Sequence, residues 1–133
     1  MRLSRKSDYA IRAVKHMAML PKGKLGSINS ISKSEYIPRE FLAKILKDLT
    51  RGGVLKSFQG VTGGYCLAKQ AKNVNFLNVI EIIDGPLQLS IWTKGGRGSQ
   101  SNAQMRSFWQ KQEKQTKTVL SRENFGKYSK GRK

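Results

Sequence analysis

The stretch PREFLAKILKDLTRG at 38–52 carries Arg39, Glu40, Lys44, Lys47 and Arg51 at spacings that put them on one side of a helix, away from its apolar residues. Such side chains can read the edges of base pairs. Arginine pairs with guanine, glutamate accepts from cytosine, and lysine reaches guanine or phosphate. A few residues later Lys56, Ser57, Gln59, Gly60 and Thr62 surround a glycine-rich GVTGG. They can bond phosphates or the floor of a minor groove. The plain alternative for the helix is a solvated face with Glu40–Lys44 and Lys44–Asp48 pairs. For Gly60, Gly63 and Gly64 it is a tight turn whose glycines serve geometry only. Other reactive side chains are sparse. Cys66 is the single cysteine and reads as a small core residue of a strand. His16 is the single histidine and reads as a hydrogen-bonded or half-exposed helix residue rather than a metal ligand. There is no phosphate-loop signature, no cysteine–histidine pairing and no acid/base pair that stands out. The chain therefore reads as a non-enzyme with no metal site.

Charge supports a polyanionic partner. The 133 residues hold 26 Lys and Arg against 8 Asp and Glu, a formal net charge of +18. Residues 1–72 carry net +11, residues 73–93 no basic side chain at all, and residues 94–133 net +9. Two basic parts flanking a neutral apolar stretch fit a nucleic-acid partner, with an anionic membrane surface as the weaker alternative. No helix pattern sets a basic face opposite a Trp/Phe/Leu face, as membrane-surface binding requires. No run approaches the roughly 18 apolar residues that a membrane span needs. Arg12, Lys15 and His16 interrupt the first twenty residues, which do not read as a signal peptide. The expectation is a cytoplasmic protein. A single cysteine excludes an internal disulfide framework.

These side chains need elements to hold them. Residues 7–20 have helical apolar spacing with Ser7 or Asp8 as the cap, and Pro21, Gly23 and Gly26 end the run. Ser27 caps a short helix, SINSISKSEY. Pro38 starts the third, with Phe41, Leu42, Ile45, Leu46 and Leu49 as its apolar face and Gly52-Gly53 as its stop. VLKSFQ and YCLAK around GVTGG predict a two-stranded hairpin. Asn75 caps FLNVIEIIDG, and Gly85-Pro86 ends it. Residues 86–102 read as a loop. Residues 103–120 regain helical spacing through Met105, Phe108, Trp109, Gln112, Thr116, Val119 and Leu120. That stripe predicts either packing on the chain's own domain or an interface with a second copy. The tail from Ser121 reads as short, basic and frayed at its end.

The order predicts a mainly α fold with a small β wing. It comprises a winged helix-turn-helix domain over 1–85 (helix-turn-helix about 27–51, wing about 54–69), a flexible loop over 86–102, and a dimerisation helix with basic tail over 103–133. The opening RLSRKSDYAIRAVKHMA, the block ISKSEYIPREFLAKILKDLTRGGVLKSFQGVTGGYCLAK, NFLNVIEIIDGP and the Trp109 helix together resemble the Rrf-two (BadM-like) family of bacterial winged-helix regulators over about residues 1–125. IPREFLAKILKDL and GVTGGY are the most specific parts. The resemblance implies a repressor that binds a palindromic operator as a homodimer, with Arg39, Glu40 and Lys44 meeting bases or phosphates. The alternative is a non-specific, architectural nucleic-acid coat. Two departures matter. Members that bind iron–sulphur clusters have cysteines in the segment matching 86–107, where this chain has none and Ser90, Ser99, Ser101 and Ala103 stand near those positions. Serine hydroxyls do not replace thiolates at such clusters, so no cofactor is expected. Members also commonly carry arginine where Gln59 stands. Gln59 keeps hydrogen bonding but loses the charge that favours narrow A·T-rich minor grooves. The operator, the effector and any replacement of native cysteines by Ser90, Ser99 or Ser101 are open at this stage.

Overall fold

A computed structural model describes residues 3–89 and 103–129. Five helices and one hairpin run in the order α1 (Arg5–Met19), α2 (Ile28–Glu35), α3 (Arg39–Arg51), β1 (Leu55–Phe58), β2 (Gly64–Leu67), α4 (Phe76–Asp84) and α5 (Ala103–Arg122). The expected helices and hairpin are all present. Of the expected 86–102 loop, residues 90–102 lie outside the described residues, and Ser90, Ser99 and Ser101 with them.

α1 starts three residues before the expected cap. Ser4 is the cap and accepts from the Ser7 backbone N–H. Ser7 itself is fully buried, because its hydroxyl donates at 2.7 Å to Asp84 at the end of α4, where the Ser4 hydroxyl also donates at 2.6 Å. The two serines thus tie the first turn of α1 to the last turn of α4. α1 is lined with small residues where α3 and α4 approach it. Ala10, Ala13, Val14, Met17 and Ala18 are all buried, as are Leu42, Ile45, Leu46 and Leu49 of α3 and Val79 and Ile80 of α4.

α2 is closed at its start by a reciprocal capping box between Ser27 and Ser30. Its other end is unusual. Tyr36 caps it in the left-handed conformation, at φ 57° and ψ 48°. This conformation costs a non-glycine residue about 1–2 kcal/mol. Hydrogen bonds fix the turn on both sides. Arg12 donates to the Glu35 carbonyl, the Ile37 N–H donates to the Ser32 carbonyl, and the Ser32 hydroxyl donates to the Ile37 carbonyl. Ile37 is fully buried and Pro38 then caps α3. Lys15 and His16 of α1 hold the Glu35 carboxylate at 3.0 and 3.4 Å. His16 is thus a half-buried helix residue beside a carboxylate.

The hairpin is antiparallel, with Leu55 opposite Leu67 and Phe58 opposite Gly64. A third stretch joins it: Gly26, just before α2, exchanges both backbone hydrogen bonds with Tyr65, at 2.8 and 2.9 Å. The wing is thereby tied to the start of the helix-turn-helix. A Cβ at Gly64 would lie 2.8 Å from the Gly26 carbonyl oxygen, and one at Gly63 would collide with the Phe58 carbonyl. For these two glycines the geometric reading holds.

The segment after α5 is ordered as far as residue 129, and the expected frayed end, residues 130–133, lies outside the described residues. Beyond α5 the chain turns back, the Phe76 N–H donates to Glu123 O, and the Phe125 N–H donates to Val74 O. Phe125 is fully buried in the winged domain's core, with its ring 4.8 Å from that of Phe76 and 6.0 Å from that of Tyr128. A cut at residue 85 thus leaves part of the core of the first unit on the far side. An isolated aromatic followed by glycine gave no periodic signal for this. We expect Phe125→Ala to lower stability by about 3–5 kcal/mol in denaturant unfolding. A loss below about 1 kcal/mol would mean that the winged domain does not need its C-terminal anchor.

Candidate nucleic-acid interface

α3 turns its apolar residues onto α1, and this forces Arg39, Glu40, Lys44, Lys47 and Arg51 into solvent, where all five are exposed. The i,i+4 pairs considered for this face do not form. Among the described residues the ion pairs are Arg12–Asp8, Lys15–Glu35, His16–Glu35, Lys117–Glu81 and Lys127–Glu123. The carboxylates are engaged elsewhere. Asp8, Glu35, Glu81 and Glu123 sit in those pairs, Asp84 accepts from Ser4 and Ser7, and Glu113 accepts from the Leu89 N–H. Among the described residues Glu40 and Asp48, both on α3, are the carboxylates with no ion pair or side-chain hydrogen bond to another described residue. The basic face of α3 is consequently not neutralised from within.

The wing residues are just as open. Lys56, Ser57, Gln59, Gly60 and Thr62 are exposed, and Val61 at the tip is as accessible as in an extended chain, at 106 %. The Gly26–Tyr65 pairing brings the wing beside the helix-turn-helix, and a cleft of about 300 Å³ opens between them. Its walls include Arg39 from α3, Ser57, Gln59 and Gly60 from the wing, and Ser27 and Asn29 from the start of α2. Four of the residues singled out from sequence thus share one cleft. Glu40, Lys44, Lys47, Lys56 and Thr62 lie outside its lining. Ser27 and Asn29 were not singled out from sequence: the capping role of Ser27 accounts for its type, and a lone asparagine in a short polar helix carries no pattern. In chemical terms the cleft offers a guanidinium, hydroxyls and amides but no nucleophile–base pair. It suits an anionic backbone rather than a reaction.

The stripe on α5 divides. Trp109, Gln112, Thr116 and Leu120 are half-buried. They share a side with Glu113, bonded to Leu89, and Lys117, 3.9 Å from Glu81 of α4. Met105, Phe108 and Val119 are 48 %, 53 % and 66 % exposed. Both readings of this helix therefore find residues: one side packs on the chain's own domain, and an apolar remainder faces outward.

Comparison with known proteins agrees with this architecture. The profile of the Rrf2 family, described as an iron-dependent transcriptional regulator, matches residues 3–128. An HTH-type transcriptional regulator of Mycobacterium tuberculosis is 34% identical over 87 residues, covering 65% of this chain and 54% of the relative. One from Synechocystis is 30% identical over 88 residues, covering 66% and 60%. The chain thus spans little more than half the length of these curated relatives. Among solved structures, CymR, the global cysteine regulator of B. subtilis, superposes with a TM-score of 0.80 at 19% identity, over 97% of this chain and 96% of that one. IscR of T. potens gives 0.76 at 22% identity, over 94% and 83%. These likenesses establish the winged-helix fold.

Iron dependence in the family description raises the question of donors. The chain has one thiol, Cys66, on β2 opposite Lys56. Among the described residues no group of three or more His, Cys, Asp or Glu side chains could hold a metal ion. An iron–sulphur cluster takes several soft ligands, normally four. The residues present do not fit one. Anaerobic reconstitution with iron and sulphide is expected to leave the protein without thiolate-to-iron absorption in the visible. Stoichiometric cluster incorporation, read by absorbance and iron analysis, would show that donors have been overlooked.

Proposed function

This chain belongs to the Rrf2 family of transcriptional regulators, and we propose that it is a cytoplasmic, sequence-specific repressor that grips a palindromic DNA operator as a homodimer. The observation that carries the reading is the shared cleft. Arg39 at the start of α3 and Ser57, Gln59 and Gly60 of the wing face the same opening. A duplex that accepts α3 in its major groove therefore meets the wing at its flank. Arg39, Glu40 and Lys44 read base edges, while Lys47, Lys56, Ser57, Gln59, Gly60 and Thr62 hold phosphates or the minor groove. No helix among the described residues is long and apolar enough to cross a membrane.

The test is selection from a random DNA pool at about 150 mM salt. The regulator enriches a palindrome. A non-specific coat, which the +18 charge alone would serve, enriches nothing. If each protomer neutralises about four phosphates, log K falls with log salt at a slope near −7, and a slope shallower than about −2 would remove this footprint. Arg39→Ala is expected to relax preference at one base position per half-site, at a cost of about 1–3 kcal/mol, whereas Lys56→Ala weakens all sequences alike. Identical, sequence-independent losses from both would overturn the assignment of α3 as the reading helix.

Dimerisation is assigned to the outward side of α5. Met105, Phe108 and Val119 are about half or more exposed in the protomer, and a second copy is the partner that such a helix most simply covers. Gln112, Thr116, Trp109 and Leu120 flank that seam. Phe108→Glu combined with Val119→Glu is expected to give a folded monomer on size-exclusion chromatography, with greatly weakened operator binding. A double variant that stays dimeric would put the interface elsewhere. Any effector is separate from metal chemistry in this reading and acts through another ligand, a partner protein or protein level.

A further inference from the structure

Tyr36 is built into the helix-turn-helix at a cost and without an internal return. Its backbone is left-handed, a conformation that glycine or asparagine adopts with less strain. Its side chain is 86 % exposed, so the ring gains almost nothing from packing. The residue cannot relax, because hydrogen bonds to Glu35, Ser32 and Ile37 and the buried Ile37 side chain fix the turn. A strained residue that the surrounding structure over-determines and that contributes no buried contact points to a role outside the fold.

Its position says which role. Tyr36 lies three residues before Arg39, so their Cα atoms are within about 11 Å of each other. The major groove is about 12 Å wide. With Arg39 at the base edges, an exposed tyrosine no farther away than that has the phosphates that flank the groove within reach of its ring. We propose that Tyr36 is a DNA-positioning residue whose phenolic hydroxyl donates to a backbone phosphate oxygen flanking each half-site. The proposal rests on the regulator reading above and adds a contact to it. A neutral donor of this kind fixes orientation without adding to the counterion count and without reading sequence.

The experiment uses the full chain and measures binding to the selected operator and to random duplex DNA, together with thermal unfolding. Tyr36→Gly removes the ring and relieves the backbone. It is expected to leave the unfolding temperature unchanged or raised while weakening both DNAs about tenfold, with the salt slope unaltered. Tyr36→Phe keeps the ring and loses the donor, and should weaken binding to a similar extent at unchanged stability. Binding by Tyr36→Gly within twofold of the parent, while Arg39→Ala loses base preference, overturns the Tyr36 contact and leaves the regulator reading intact. Loss with Tyr36→Gly but not with Tyr36→Phe overturns the phosphate hydrogen bond. Failure of the parent chain to select any sequence, with Tyr36→Gly still tenfold weaker on random duplex, overturns the regulator reading and keeps the contact.

Discussion

Close packing of α3 on α1 is the constraint from which the exposed chemistry follows. Ala10, Ala13 and Ala18 give α1 a shallow surface, and α3 commits Leu42, Ile45, Leu46 and Leu49 to burial. With that face taken, every charged residue of α3 must face out, and the rotation of the helix about its axis is no longer free. The Glu35 carboxylate, held by Lys15 and His16, and Arg12 on the Glu35 carbonyl set the end of α2 from the same α1 scaffold. One helix thus determines how both halves of the helix-turn-helix are aimed.

Electrostatics complements that geometry by omission. In a chain with only eight acidic residues, six are used to close caps, pair with neighbouring cations or hold backbone N–H groups away from α3. The acidic side chains do local structural work, and the cations of α3 and the wing are left as a field projected outward. Lys56, Lys44 and Lys47 therefore attract a polyanion whose counterions are released on contact, at no expense of internal ion pairs.

Much of this was legible in the residues because local rules dominated locally. Asn75 and Ser27 cap as their types demand, the apolar spacing of α3 maps onto its buried face except at Phe41, which is 40 % exposed, and GVTGG forms the turn between two short strands. The failures share one cause, which is long-range partnership. Ser7 looks like a cap but is drawn inward by Asp84 at the end of α4, 77 residues away, so capping falls to Ser4. The Trp109 stripe looks uniform but divides because α4 covers only one side of it. Tyr36 adopts a backbone conformation that its own type disfavours, and only the hydrogen bonds around it explain why it stays there.

The return of the chain through Phe125 bears on how the protein is made. A residue near the far end completes a core whose other members lie between Ala10 and Val79. On the ribosome, α1 to α4 emerge and can collapse early, but their core stays open at the Phe76 edge until Phe125 has been synthesised. Acquisition of the native state is then coupled to the synthesis of α5 and the turn after it. A transcript truncated anywhere before residue 125 yields a product that carries the charged α3 face on an unfinished scaffold, a substrate for proteolysis rather than a competitor for DNA.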